Sequence, residues 1–147
     1  MNHPISSYLI WSGVLPFAIG TLLVCFPSLT PHSFVHPESA VSYLTLYAIA
    51  ITLFMAGTHW GVALGSQKTN TIYWPLIISN IQLITTCIAY TCFNWRIQIG
   101  VVCVSLCASI LVDYFYYQKN ILTKNYIQLR FKVTITVLCF LTLVLIQ

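Results

Sequence analysis

Long apolar runs separated by short polar links dominate this chain. A helix needs about 20 mostly apolar residues to cross a membrane, and five runs meet that requirement. They cover residues 6–26, 41–64, 73–92, 97–117 and 129–146. The pattern predicts an all-α, polytopic integral membrane protein. Its five transmembrane helices form one bundle, and residues 1–147 make a single membrane domain.

Composition points to lipid as the main solvent of the side chains. Apolar residues make up 59% of the 147 positions and charged residues 5%, whereas a soluble domain carries about 25% charged residues. The mean hydropathy is +0.86. Six Lys/Arg against two acids give a net charge of +4, but these cations fall near helix ends and not on one basic face. We therefore expect the lipid bilayer, and no nucleic acid, as a partner.

The positions of the cations predict an orientation. With five spans, five of the six Lys/Arg lie on the side of the N-terminus, and Arg96 lies on the other. The positive-inside rule then places the N-terminus in the cytoplasm or matrix and the C-terminus outside. The first apolar run lacks the basic start of a cleaved signal peptide, so we expect a retained first span. The expected location is a bacterial inner (cytoplasmic) membrane or the mitochondrial inner membrane.

Several polar side chains interrupt the spans near the predicted cytoplasmic leaflet. An ionisable residue inside a span is expensive and usually faces the bundle interior with a partner. Asp113 continues the helical face of Ser105 and Ser109, so we expect it to point inward. Its first expected partner is Arg130 and its second is His59. The candidate polar site comprises His59, Asp113, Arg130, Asn80, Gln82 and Trp60.

Glycines recur every four residues in the segment GTHWGVALG. Gly57, Gly61 and Gly65 form a smooth stripe of the kind that lets two membrane helices approach closely. His59 lies about 200° around the helix from this stripe. In the first span, Pro16 follows Gly13 by three residues and should kink the helix, freeing carbonyls that need partners. We class these three glycines, Gly13 and Pro16 as helix-packing residues.

Metal ligation has two weak sequence signals. Cys103 and Cys107 are four residues apart within an apolar run, and His32 and His36 have the same spacing in a proline-rich loop. A structural zinc site needs four convergent ligands, and buried cysteines commonly behave as small hydrophobic residues. We expect no metal site at either place.

Three blocks, WSGVLPFAIG, YAIAITLFMAGTHWGVAL and YIQLRFKVT, mark spans one, two and five. In this order they resemble the domain of unknown function 3429 family, which includes the transmembrane protein 69-like proteins of mitochondria. Carried over by position, the family pattern falls on Gly13, Pro16, Phe17, Tyr47, Phe54, Gly57, His59, Trp60, Gly61, Tyr126, Leu129, Arg130 and Thr134. Ala56 stands where the pattern has a glycine or similar small residue. The resemblance implies a multi-span inner-membrane protein and brings no reaction, substrate or cofactor with it.

Two functions remain open from the sequence. The first is a non-enzymatic accessory or assembly subunit that packs against a larger membrane complex, or a homo-oligomer. Its support is the small size, the glycine stripe and the lack of a soluble domain. The alternative is a small-molecule, proton or ion site built on His59, Asp113 and Arg130, in which the imidazole could relay protons or ligate a metal. No cofactor is predicted, and haem or quinone remain alternatives for that site.

Overall fold

A computed structural model of the chain describes residues 4–26, 37–65 and 73–147, with side chains from 8–26, 39–65 and 73–147. The described residues form six helices and no strand. The helices are α1 (Pro4–Ser12), α2 (Leu15–Cys25), α3 (Pro37–Gly65), α4 (Tyr73–Cys92), α5 (Trp95–Gln118) and α6 (Lys124–Ile146). The histidines of the proline-rich loop and Lys68 lie outside the described residues.

Five segments are long and apolar enough to cross a membrane. They are Tyr8–Cys25, Ser39–Gly65, Tyr73–Cys92, Trp95–Gln118 and Lys124–Ile146. The first of them contains a break between α1 and α2, and each of the others is one continuous helix.

The first apolar run is broken where the sequence predicts a bent but continuous helix. The break falls at Gly13 and Val14, and Pro16 becomes the second residue of α2. Proline has no N–H to bond the carbonyl four residues earlier and clashes with it, so the helix ends at Ser12 and begins again. The Tyr47 hydroxyl donates to the Gly13 carbonyl at 3.0 Å, which gives a carbonyl at the break a partner from α3.

The helices pack as a closed ring with a diagonal. Each of the neighbouring pairs α2–α3, α3–α4, α4–α5, α5–α6 and α6–α2 is in contact, and α3 also contacts α5 across the ring. The short helix α1 packs on α6. Because α3 and α5 each touch three other helices, side chains on their facing surfaces lie at the centre of the bundle.

Short capped links set the directions of α4, α5 and α6. Only Phe93 and Asn94 separate α4 from α5, and the Asn94 side chain accepts the Ile97 N–H at 3.1 Å as an N-cap. After α5, Asn120 adopts a left-handed backbone with φ of 55°, a conformation that asparagine tolerates better than most residues. These tight turns make consecutive helices antiparallel.

Much of the apolar core and the buried ionisable side chains lie toward opposite ends of the bundle. The apolar core includes Leu44 and Ala48 near the start of α3, Ile99 and Val102 near the start of α5, and Leu141 near the end of α6. The buried ionisable side chains belong to the other half, toward the ends of α3 and α5 and the start of α6. The apolar half holds the helices together, and the polar half holds the candidate site.

Candidate functional site

Three helices bring one ionisable side chain each to the same depth. His59 lies six residues before Gly65, where α3 ends, and Asp113 five residues before Gln118, where α5 ends. Arg130 lies six residues after the start of α6, which runs in the opposite direction. At about 1.5 Å per residue, all three are roughly 8 to 9 Å from one end of the bundle.

Asp113 is the centre of this cluster. Arg130 Nε donates to Asp113 Oδ2 at 3.0 Å, and Nη2 lies 3.0 Å from the same oxygen. The other oxygen, Oδ1, lies 3.3 Å from His59 Nε2. Asp113 is 2% exposed and Arg130 7% exposed. The carboxylate is thus buried and compensated by a guanidinium on the neighbouring helix, which is what a buried charge requires.

The remaining Arg130 nitrogen reaches α3. Arg130 Nη1 contacts the Met55 sulfur, one turn before His59. The guanidinium therefore connects α6 to α3 as well as to α5.

His59 is buried without a well-formed hydrogen bond on its ring. The residue is 1% exposed. Although Nε2 is within ion-pair distance of Asp113, neither Nε2 nor Nδ1 has a hydrogen-bond partner of good geometry among the described residues. The backbone of His59 is held instead, because its carbonyl accepts the Tyr116 hydroxyl at 3.2 Å. The ring therefore lies beside Asp113 at ion-pair distance without hydrogen-bond geometry.

Gln82 on α4 forms a second polar group against α5. Its Nε2 donates to the Ser105 carbonyl at 2.7 Å and to Ser109 Oγ at 3.1 Å. Its Oε1 and the hydroxyl oxygen of nearby Thr86 have no hydrogen-bond partner among the described residues. Since Ser109 lies one turn before Asp113, the two polar groups are neighbours on α5.

Asn80 and Trp60 do not join the cluster. Asn80 is exposed, and its side chain donates to the Leu76 carbonyl of its own helix at 3.0 Å. Trp60 follows His59 but is 41% exposed on the outside of the bundle. Of the six candidate site residues, the structure brings together His59, Asp113 and Arg130, with Gln82 beside them on α4.

A known protein family matches nearly the whole chain. The model of a family described as protein of unknown function (DUF3429) matches residues 3–146. The chain belongs to this family. No match was found among curated proteins or among solved structures.

Residues that the resemblance assigns to the family pattern meet at two places in the fold. Gly13, Phe17 and Tyr47 form one contact, in which the Phe17 and Tyr47 rings pack edge to face with centroids 5.0 Å apart. His59 and Arg130 form the other, through Asp113. The first contact fixes the break in the first apolar segment, and the second joins α3, α5 and α6.

The glycine stripe of α3 faces away from its own bundle. Gly57, Gly61 and Gly65 are exposed, and a Cβ added at any of them would meet no atom of the described residues within 4 Å. Close packing of this stripe within the described chain is therefore not seen, and packing against another chain remains a prediction. Gly13 packs near Tyr47, and Pro16 is exposed at an outer groove between α2 and α3.

Sequence reasoning missed the glycine that does allow close helix packing. A Cβ on Gly20 of α2 would lie 2.8 Å from Leu44 Cδ1 and 3.3 Å from Leu44 Cβ. Gly20 has no small residue at four-residue spacing in α2 except Pro16, so no stripe signals it. Only the tertiary structure shows that Leu44 is its neighbour.

Tyr116 and Met55 were also missed as site residues. Tyr114 is half exposed, but Tyr116 is fully buried. Its position three residues after Asp113 places it on the inner face of α5. That spacing was a usable signal, since Asp113 was already expected to point inward.

The described residues assemble no three-ligand metal centre. No group of three or more His, Cys, Asp or Glu side chains converges among them, and all six cysteines are free thiols. His59 and Asp113 are a two-ligand pair in which the carboxylate is already engaged by Arg130. The arrangement can clamp three helices and can hold or move a proton at His59.

Proposed function

We propose that this DUF3429 protein is a multi-pass integral membrane protein that crosses the bilayer five times, with α1 and α2 together forming the first crossing. Large apolar side chains on the outer surface support the proposal. Tyr43, Leu64, Leu111 and Ile146 are each about 70% exposed or more. Lipid solvates exposed apolar side chains, whereas large exposed apolar patches are rare on soluble monomers.

The distribution of cations supports an orientation. Lys119, Lys124 and Lys132 lie toward the end of the bundle that also holds the start of α1, and Arg96 lies at the opposite end. By the positive-inside rule, the lysine-rich end faces the cytoplasm or the matrix. The membrane in this proposal is a bacterial inner membrane or the mitochondrial inner membrane.

The proposed role is that of a non-enzymatic accessory or assembly subunit of a larger membrane complex. The observation that carries it is the closure of the cluster, because one Asp113 oxygen pairs with Arg130 and the other faces His59 of the same chain. Four grooves on the surface of the described residues have linings that leave out His59, Asp113 and Arg130. A buried, internally compensated cluster away from these grooves suits a lock between helices.

The partner in this proposal is a membrane helix of another subunit lying on Gly57, Gly61 and Gly65. The open space over these glycines supports that choice, since close backbone approach is a main source of helix association in lipid. Trp60 and Leu64 flank the stripe and are exposed, so they would contribute apolar contact beside the glycines.

Native mass spectrometry of the protein purified gently from its own membranes, together with a visible absorption spectrum, tests the role. A stoichiometric partner subunit is the expected result. A monomer or homo-oligomer that carries a small molecule or a haem band would contradict the accessory role and favour a ligand site at His59. Bare protein without either would leave only the structural lock, and the accessory role would be lost.

A second function, proton or ion handling at His59, is favoured by one observation. Its two buried ring nitrogens lack well-formed hydrogen bonds, and buried ionisable groups in membranes are frequently functional. The test is proton flux into liposomes containing wild-type protein or His59→Gln, with Asn80→Gln as the control on the outer face. A flux that disappears in well-folded His59→Gln protein would support this function, and equal flux in all three samples would exclude it.

A further inference from the structure

An elongated groove runs along the outer surface between α5 and α6. Its volume is about 620 Å³. Apolar side chains form its walls, among them Ile110, Leu111 and Phe131. Polar side chains line it as well, namely Lys124, Gln128, Lys132, Tyr114 and Tyr117.

The polar side chains of α6 lie on one line of the helix. Lys124, Gln128 and Lys132 follow one another at intervals of four residues, which puts them on one face at steps of about 6 Å. Helical side chains lean toward the N-terminus of their helix, and α6 begins at the lysine-rich end of the bundle. Both ammonium groups can therefore approach that end while the aliphatic part of Lys132 lies along the apolar wall.

Among the described residues, no carboxylate pairs with these lysines. The two acids of the chain are Asp113, which Arg130 and His59 occupy, and Glu38, the second residue of α3. The beginning of α3 is at the opposite end of the bundle from Lys124. No ion pair of Lys124 or Lys132 is formed within the described residues. The counter-ion of the groove must come from another molecule.

Other features of the groove also suit an anion with an apolar tail. Tyr114 and Tyr117 each supply a hydroxyl donor, with ring centroids 6.3 Å apart. Lys124 is the first residue of α6, so the positive end of the helix dipole lies beside its ammonium charge. A free phosphate would satisfy the lysines and leave the apolar walls uncovered.

We propose that the α5–α6 groove binds a phospholipid with a net negative headgroup. The lipid phosphate lies between Lys124 and Lys132 within reach of the tyrosine hydroxyls, and an acyl chain follows Ile110, Leu111 and Phe131 into the membrane. Basic pockets between membrane helices on the cytoplasmic or matrix side are a known way of binding anionic lipid headgroups. The inference rests on the proposed insertion of the bundle in a membrane.

The test uses the full-length protein in nanodiscs made of equal amounts of phosphatidylglycerol and phosphatidylcholine. Native mass spectrometry measures the ratio of the two lipids that stay bound after the nanodisc is removed. The test variant is Lys124→Gln/Lys132→Gln. The matched control is Arg96→Gln/Lys119→Gln, which removes the same charge. Arg96 lies over the Trp95 ring and Lys119 over the Phe115 ring, both outside the groove lining.

Wild-type protein and the control should retain phosphatidylglycerol preferentially. The groove variant should lose that preference by about 30-fold, since each of the two lysines near an anionic lipid contributes about 1 kcal/mol. Leu111→Trp, which fills the groove without changing charge, should lower the retention of phosphatidylglycerol. If the double variant does not fold, Lys124→Gln alone carries the test, with a smaller expected loss.

Three results would overturn the proposal. The first is the same lipid ratio in wild-type protein and the groove variant. The second is an equal loss in the control, which would indicate general attraction between a basic protein and acidic lipid. The third is displacement of the lipid preference by millimolar inorganic phosphate, which would indicate a site for soluble phosphate. Alkaline extraction of the source membranes tests insertion separately, because a protein released by alkali contradicts the membrane function itself.

Discussion

Arg130 and Asp113, seventeen residues apart on α6 and α5, form a buried ion pair in which Nε and Nη2 both lie 3.0 Å from Oδ2. The pair is enclosed by α3, which contributes His59 on the second carboxylate oxygen and Met55 on the guanidinium. Three helices therefore share one charge-compensated contact. Removing either charge leaves the other buried without its partner.

Replacing one member of this ion pair should destabilise the bundle more than replacing both. Arg130→Met or Asp113→Leu alone should each lower the free energy of unfolding by about 3 to 5 kcal/mol, because an uncompensated buried charge remains. The double variant should be markedly closer to wild type, since well-packed apolar residues commonly replace a buried pair at little cost. Unfolding in mixed micelles by titration with sodium dodecyl sulfate measures all four proteins. Additive losses in the double variant would show that the two side chains act independently.

Substitution by leucine should lower the stability of the bundle at Gly20 but not at Gly61. Gly20→Leu puts a side chain against Leu44, which is 2% exposed and has little room to move. Overpacking of this kind should lower the free energy of unfolding by about 1 to 3 kcal/mol. Gly61→Leu meets open space and should leave the stability of the isolated chain near wild type. The same unfolding titration compares the two variants. A large loss for Gly61→Leu would mean that its face is covered within the chain.

Gly61→Leu should nevertheless weaken association with a partner. A leucine on the stripe keeps two backbones from approaching closely, which removes most of the benefit of a small-residue interface. Crosslinking in membranes followed by native mass spectrometry measures the amount of complex. The control is Leu111→Ala, an outward substitution on α5, which should leave the complex intact. Normal assembly of Gly61→Leu would show that the stripe faces lipid.

Gln82 and Asn80 should differ although both are amides on α4. Gln82→Leu removes two hydrogen bonds to α5 and should lower the free energy of unfolding by roughly 1 kcal/mol, the usual scale for polar contacts between membrane helices. Asn80→Leu loses only a bond to its own helix, and its new side chain faces outward. Its stability should be unchanged or higher. Equal losses from the two substitutions would contradict the inward orientation of Gln82.

The extent of the helices could be predicted because it follows from the length of each apolar run and from the polar and proline residues that end it. Residues 73–92 form α4 with the bounds that the apolar run indicates. The structure adds that the Asn94 side chain in the two-residue link caps α5. The break near Pro16 was expected as a bend, but its position at Gly13 and Val14 was not. α1 ends at Ser12, whose carbonyl Pro16 cannot bond, and the Tyr47 hydroxyl donates to the Gly13 carbonyl at the break.

The candidate site was partly predictable for an electrostatic reason. The cost of an isolated charge in a membrane span requires a partner, and only a few ionisable side chains share the depth of Asp113. The same reasoning failed for Asn80 and Trp60, because neutral polar and aromatic side chains are tolerated on the outside of a bundle. It gave no sign of Tyr116 on the backbone of His59, a contact between residues 57 positions apart.

The sequence by itself determined which segments become helices, where most of them end and which charges must be buried in pairs, because hydrophobicity, proline and desolvation act on each segment separately. Only the tertiary structure decided which face of each helix meets another helix. Periodicity marks a smooth stripe at Gly57, Gly61 and Gly65 but not its neighbour, and the bundle instead places Leu44 against Gly20. In a chain whose helices are apolar on nearly every side, hydrophobicity does not distinguish inside from outside, so packing geometry does.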